Sequence, residues 1–260
     1  MNKDEITAYW RFAESLADSA RGVTLPLFRG KTAIENKTDG SPVTTADREC
    51  ESLMRASITS EYPAHHIYGE EFGGDTGDGF VWVLDPIDGT RSFISGSRQY
   101  CTLIALVHDG SPILGVIDMP ALDERWMGCD IPSFQRAVFN GAPCRVSGQR
   151  ELSKSVMATT TLGVAEDERD ESLRRLCRRA GHSRLGGDAS AFGSLASGFL
   201  DMAADYEMAC YDYLPLMPVI RAAGGILTDW RGEIPAFSGD KTGFLASATE
   251  ELHLEGLSVL

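Results

Sequence analysis

Val81-Trp82-Val83-Leu84-Asp85-Pro86-Ile87-Asp88-Gly89-Thr90-Arg91-Ser92-Phe93 is the stretch on which the reading of this chain turns. Its apolar opening predicts a short buried strand, ended by Asp-Pro because the residue before a proline is held extended. Asp85 and Asp88 then bracket a turn, with the Ile87 carbonyl between them. Gly89 follows, and 90–94 reads as the first turn of a short helix closed by Gly96. Two carboxylates and a carbonyl at a strand end make a hard, oxygen-only donor set of the kind Mg²⁺ takes. The free N–H groups of the helix start make an anion site beside it. A cation site and an anion cradle one residue apart point to phosphate chemistry. The plainer reading is that Asp-Gly is an ordinary turn and Asp85 a helix cap.

Upstream, the spacing of Ile6, Tyr9, Trp10, Ala13, Leu16, Ala17 and Ala20 predicts an amphipathic helix. The polar stretch 30–42, with Lys31, Lys37, Asp39 and Gly40, reads either as a loop covering a site or as a solvated connection. Thr44 and Asp47 approximate a capping box opening a second helix, with Ala46, Cys50, Leu53, Met54 and Ser57 as its expected buried face. His66-Ile67-Tyr68 is a short strand delivering Gly69-Glu70-Glu71. Adjacent carboxylates repel, so a bound cation explains their clustering better than a surface face does.

Downstream, runs at 101–107 and 113–119 flank Asp109-Gly110, a hairpin signal. Arg125-Trp126-Met127 and Ala137-Val138-Phe139, with an Asn140-Gly141 turn, extend an antiparallel sheet. This argues for an α+β layered fold, not a doubly wound parallel one. The second half begins near Ser147. It reads as a strand at 156–160, a basic-faced helix at 168–180 and a strand at 184–186. Asp188 then caps a helix striped by Phe192, Leu195, Ala196, Phe199 and Leu200. A strand at 200–204 ends in Asp205 and Glu207, and Asp212 precedes a helix at 214–223 that Pro218 should distort. Strands at 226–228 and 244–248 complete a second sheet.

The 260 residues are 43% hydrophobic and 24% charged, ordinary for a globular protein. A formal charge of −14 makes nucleic acid and anionic membranes poor partners. Six cysteines without C-x-x-C spacing read as reduced thiols, and no apolar run reaches about 18 residues. A cytoplasmic protein without secretory or membrane segment is the expectation.

Three ordered motifs, Gly69-Glu70-Glu71, Asp85-Pro86-Ile87-Asp88-Gly89-Thr90, and Tyr211-Asp212-Tyr213 with Ala222-Ala223-Gly224-Gly225, resemble the signatures of the inositol monophosphatase superfamily. The resemblance covers nearly the whole chain. Ser92-Phe93-Ile94-Ser95-Gly96 and Gly115-Val116-Ile117-Asp118-Met119-Pro120 are most similar to its histidinol-phosphate phosphatase branch. The resemblance implies a layered αβαβα sandwich. A first subdomain, 1–146, would carry most metal ligands; a second, 147–260, would carry the substrate contacts and the last ligand.

The resemblance further implies two or three Mg²⁺ ions, inhibition by Li⁺ and a homodimer. Glu70, Asp85 and the Ile87 carbonyl would hold a first metal, Asp85, Asp88 and Asp212 a second, and Glu70 with solvent a looser third. Thr90 and Asp47 would polarise the attacking water. The Gly89 and Thr90 amides would take the phosphate, and a lysine-bearing loop would reach the metal site. On the substrate side the candidates are Asp188, Asp205 or Glu207, and Arg184, the one obvious cation near the expected pocket. The implied reaction is L-histidinol phosphate to L-histidinol, a step of histidine biosynthesis. Inositol 1-phosphate or a related sugar phosphate is the alternative substrate, and a catalytically silent metal or phosphate sensor is the alternative of another class.

Overall fold

The computed structural model describes residues 1–30, 34–37, 42–163, 167–235, 237 and 241–260; the expectations placed on Lys31, Asp39 and Gly40 lie outside them. The chain opens with α1 (Lys3–Leu27), which buries the seven residues its spacing picked out. Asn2 and Glu5 close a reciprocal box over its first turn. Strands β1 (Ile34–Asn36) and β2 (Pro42–Thr44) pair antiparallel and lead into α2 (Thr45–Glu61). Thr44 and Asp47 form the anticipated capping box. The buried face of α2 differs from expectation: Glu51 and Ile58 are inside, Leu53 is exposed and Ser57 is only half-buried. The helix is turned so that two carboxylates, Asp47 and Glu51, point inward, which apolar spacing alone cannot reveal.

The first sheet comprises β3 (His66–Gly69), β4 (Gly73–Gly74), β5 (Phe80–Asp88), β6 (Cys101–His108), β7 (Ser111–Met119), β8 (Glu124–Ile131), β9 (Phe134–Phe139) and β10 (Ala142–Pro143), in spatial order 10-9-8-7-6-5-3-4. The short helix α3 (Thr90–Ile94) interrupts it after β5. Asp109-Gly110 and Asn140-Gly141 both adopt positive φ at both positions, the two-residue hairpin geometry that matches strand twist. Every pairing is antiparallel except β3 with β5.

The second half runs β11 (Val156–Thr159), α4 (Glu168–Arg179), β12 (His182–Leu185), α5 (Ala189–Ala196), β13 (Met202–Met208), α6 (Cys210–Tyr213), α7 (Leu216–Ala222), β14 (Ile226–Asp229), β15 (Thr242–Ser247) and α8 (Glu250–Leu257). Its sheet has the order 12-11-13-15-14, with β12, β11 and β13 parallel and β15 antiparallel to both neighbours. The helix expected over 214–223 is α7, Leu216–Ala222, and Leu214-Pro215 join it to the short α6 before it. Pro218 is accommodated at the third position of α7, where a helix amide has no internal partner to lose. Helix α8, which sequence spacing did not suggest, is announced only by its Thr249 cap.

Strand alternation sorts the core into layers. Trp82, Leu84, Ile104, Leu106, Leu114 and Val116 face α1 and α2. Val81, Val83, Leu103, Ala105 and Ile117 face the opposite way, onto Phe192, Leu195, Leu216, Val219 and Ile220 of α5 and α7. The same two helices cover Ala158, Ala203, Phe244 and Ala246 of the second sheet. Its far face, with Met157, Met202, Ala204 and Leu245, lies under Leu173, Leu176 and Leu252 of α4 and α8. The result is five layers, αβαβα, an α+β sandwich. Glycine makes the middle layer possible: a Cβ on Gly128 would sit 2.2 Å from the Val219 backbone, so β8 and α7 touch directly.

Candidate active site

Parallel strands gather their carboxyl ends on one side, and open α/β sheets place their sites there. The β3–β5 pair ends in Glu70 and in Asp85 to Asp88, and the β11–β12–β13 group ends in 159–161, 186–188 and 205–207. The two sets meet. Ala189 N at the start of α5 donates to Asp88 Oδ2 at 2.8 Å, and Ser92 Oγ donates to Asp188 Oδ2 at 3.1 Å.

Local bonds fix each acid. Asp85 Oδ1 accepts the Ile87 amide at 3.0 Å, so the Asp-Pro turn is held by its own side chain, and Thr102 Oγ1 donates to the Pro86 carbonyl at 2.8 Å. Thr90 Oγ1 donates to the Ile87 carbonyl at 3.1 Å. Asp212 lies in the short α6, ahead of α7 as expected, and its Oδ2 accepts Ala209 N at 2.7 Å. Oxygens of Asp85, Asp88 and Asp212 all lie within 4.8 Å of one another. Asp85 is buried at 2% exposure, while Asp88 and Asp212 are half-buried.

Burial and mutual repulsion raise these acids together. The Asp85 carboxyl is held well above the usual range by desolvation, then by Glu70, Asp88 and Asp212. Asp88 is raised by desolvation, then by Asp188 and Asp212. Asp212 is pushed up to about 7 by desolvation and Glu70. Nearby, Asp47 is raised by desolvation, and Glu71 is pushed up to about 7 by the same cause, against its bond to Lys37. Burial lowers the Lys37 ammonium, but Glu70 and Glu71 outweigh it and hold the proton on. Lys37 Nζ sits 2.8 Å from Glu70 Oε1 and 2.6 Å from Glu71 Oε1. Of the polar stretch between α1 and β2, this lysine therefore does reach the acids.

A divalent cation fits this donor set. Three convergent carboxylates that resist ionising are relieved by a cation, and all offered donors are oxygen. Asp47 adds a buried oxygen, Oδ1, without a hydrogen-bond partner among the described residues; its Oδ2 is spent on Thr44 N at 2.8 Å and Thr44 Oγ1 at 2.6 Å. No hydrogen bond joins Thr90 to Asp47 among the described residues, because the threonine is engaged with Ile87.

The substrate-side residues separate. Asp188 stands at the seam, with backbone φ 44° and ψ −143°, and does not cap α5 with its side chain as the sequence suggested. Desolvation raises its carboxyl. Asp205 is 4% exposed, and its Oδ1 accepts Thr159 Oγ1, Thr160 N, Thr161 N and Thr161 Oγ1 at 2.6–3.0 Å. One of its oxygens is thereby tied to its own sheet. Glu207 pairs with Arg169, whose guanidinium also lies over the Tyr206 ring at 5.1 Å. Arg184 is on the wholly exposed edge strand β12 and has no ion-pair partner among the described residues.

One position, Glu51, went unnoticed in the sequence, and another, Tyr211, was quoted there without a role. Glu51 accepts Glu71 N at 2.7 Å and Phe72 N at 3.3 Å, and Arg55 Nε donates to it at 2.8 Å; it fixes the turn that carries Glu70. An acid one helical turn after Asp47, on the same face, was the available signal. Tyr211, raised by desolvation and by Glu70, Asp212 and Asp85, stands beside the cluster.

The chain belongs to the inositol monophosphatase family, whose model matches residues 5–258. It is a phosphatase, a phosphoric monoester hydrolase, and its layered fold is that of this family. Among curated relatives, it is 39% identical over 236 residues to the Bifunctional phosphatase IMPL2, chloroplastic, of Arabidopsis thaliana, covering 90% of this chain and 67% of that protein. It is 35% identical over 253 residues to the Histidinol-phosphatase of Mycobacterium tuberculosis, covering 95% and 96%. Among solved structures, an inositol monophosphatase from Zymomonas mobilis superposes with a TM-score of 0.85 at 36% identity, covering 96% of each chain.

Proposed function

We propose that this phosphatase hydrolyses L-histidinol phosphate to L-histidinol and inorganic phosphate, using Mg²⁺. The observation that carries the reading is the meeting of two acid groups: the Asp85, Asp88 and Asp212 triad, and Asp188 beside it at the seam. The first is a place for cations and phosphate. The second is a place for a cationic leaving group, which histidinol, with its ammonium, supplies. Similarity to histidinol-phosphatases supports the same substrate.

In this reading Glu70, Asp85, Asp88, Asp212 and the Ile87 carbonyl hold two ions, and a third rests on Glu70. Bound there, Mg²⁺ neutralises phosphoryl charge and lowers the pKa of a bound water. The chain does the rest. The Gly89 and Thr90 amides, where α3 begins without a side-chain cap, orient the phosphoryl oxygens. Asp47 Oδ1 and the Thr90 hydroxyl receive the water and its proton. Water attacks phosphorus directly, the ester P–O bond breaks, and the departing alkoxide takes a proton from solvent. Asp188 faces the ammonium, a charge-assisted bond of about 1.5–3 kcal/mol. A neutral polyol would leave that carboxylate without a cation.

Residues 1–146 and 147–260 act as two subdomains in this scheme, with the site between them, and the unit is a cytoplasmic homodimer whose mass size-exclusion chromatography with light scattering measures. A second reading, inositol 1-phosphate, is favoured by the likeness to the Zymomonas inositol monophosphatase. Comparing kcat/KM for the two esters with Mg²⁺ decides between them. A preference for histidinol phosphate of about tenfold or more is expected, the worth of one charge-assisted bond. Preference for inositol 1-phosphate would overturn the substrate; no turnover of either ester or of p-nitrophenyl phosphate would leave a sensor.

A further inference from the structure

Asp205 stands midway along β13, opposite Phe244, where a bulge begins in its pairing with β15. Four donors converge on one of its oxygens: the Thr159 and Thr161 hydroxyls at 2.9 and 3.0 Å, and the Thr160 and Thr161 amides at 2.6 and 2.9 Å. Asp205 thus closes the turn that follows the neighbouring parallel strand β11. From that turn a chain of bonds leads to the cluster. Thr160 Oγ1 accepts the Asp188 amide at 2.9 Å, Ser92 of α3 holds the Asp188 carboxylate, and the next amide, Ala189 N, is bonded to Asp88.

We propose that Asp205 is a positioning residue: it touches no substrate, and through Thr160 it holds the Asp188–Ala189 turn, and with it Asp88, in place. Asp188 supplies the reason such support is needed. A non-glycine residue at φ 44° and ψ −143° is strained and persists only where its surroundings over-determine it. Here the Thr160 hydroxyl fixes its amide, Ser92 fixes its carboxylate, and Asp88 fixes the following amide. The space is tight as well. A Cβ on Gly89 would lie 2.8 Å from Asp188 Oδ2, so the turn and the Asp88-Gly89 segment cannot shift independently. Removing the acceptor on Asp205 strands two amides and two hydroxyls in a half-buried turn. The turn must rearrange, and the Thr160 hydroxyl leaves the Asp188 amide.

The inference rests on the phosphatase reading for its kinetics, and a second readout, the rise of Tm with added Mg²⁺, is independent of turnover. Asp205→Ala is expected to lower kcat on p-nitrophenyl phosphate, histidinol phosphate and inositol 1-phosphate by the same factor, about tenfold or more, with KM changed by less than about threefold. The Mg²⁺ concentration that gives half the Tm rise should increase several-fold. Thr160→Val keeps the amide bond to Asp205 but removes the acceptor for Asp188. It should reproduce the loss, and the double variant should be no worse than Asp205→Ala, the non-additivity of a shared path. Asp205→Asn keeps an acceptor oxygen and should recover most of the loss. Should Asp205→Ala not fold, Thr160→Val and Asp205→Asn carry the same comparison. Loss confined to one natural ester and to its KM would make Asp205 a substrate contact and overturn the proposal. So would lowered stability with kcat and the Mg²⁺ response unchanged well below Tm. A wild-type protein that shows the Tm response but no turnover would remove the catalytic reading and leave the positioning one to the Mg²⁺ titration.

Discussion

Asp88 combines two tasks on one carboxylate: it joins the acid triad, and its Oδ2 receives the amide that starts α5. Asparagine separates them. Its carbonyl can still accept from Ala189, while one charge leaves a cluster in which Asp88 and Asp212 both raise Asp85 and Asp212 raises Asp88. Asp88→Asn is expected to lower kcat/KM by on the order of a hundredfold or more, the scale for loss of one electrostatic group at a reacting centre. In metal-free buffer its Tm should hold or rise. Calorimetry with chelator checks this, and a large drop in Tm would show that Asp88 serves mainly to hold α5.

At the scale of elements, α2 is the part that serves the site twice. Its first turn carries Asp47, capped on Thr44 through one oxygen and open at the other. One turn later Glu51, wholly buried, holds the 69–72 turn and so aims Glu70. The fit is close: a Cβ on Gly69 would fall 2.0 Å from Glu51 Oε1. Glu51→Ala leaves the Glu71 and Phe72 amides without partners, and each such loss costs about 1–3 kcal/mol. Urea denaturation should therefore show about 2–4 kcal/mol of destabilisation. Turnover should fall as well, because Glu70 loses its support. Unchanged activity at full folding would mean that Lys37, bonded to both Glu70 and Glu71, holds that turn sufficiently by itself.

For the whole molecule the acid cluster sets a pH dependence. Asp212 and Glu71 are held at about 7, and Asp205 at about 6, each first by burial. In the unfolded chain such groups titrate near 4. Between these values the native state binds more protons than the unfolded one, so metal-free stability falls as pH rises. His253, buried between Thr228 and Ser247 and lowered to about 4 by burial, acts oppositely, but only below about pH 6.5 where the free residue charges. Chelated protein should accordingly lose Tm from about pH 6.5 to 8. Added Mg²⁺ should cancel the loss, contributing about 2.7 kcal/mol at a hundred times its Kd. Tm that stays flat without metal across this interval would show that the acids are ionised in the native state already.

The local patterns carried the fold class and singled out Asp85 and Asp88 of the acid cluster. Hairpins at Asp109-Gly110 and Asn140-Gly141, the Thr44–Asp47 cap and the strand–turn–helix from Val81 to Phe93 all depend on backbone rules that act over a few residues, so they were legible before any packing was known. Asp85, Ile87 and Asp88 share one turn for the same reason. The tertiary structure alone decided the rest. Glu51 is inward although its helix spacing reads apolar, because its partners lie 20 and 21 residues on. Asp205 and Glu207, two residues apart on β13, part company because a bulge turns Glu207 to Arg169 while Thr159, 46 residues earlier in the chain, claims Asp205. Asp188 reaches α3 across 96 residues, and Ala189 reaches Asp88 across 101. A hydrogen-bond partner that is distant in sequence leaves no periodicity or spacing behind. The acids of this chain could therefore be counted from its sequence, but their division into ligand, cap, turn support and substrate candidate followed only from which donors the fold brings to each.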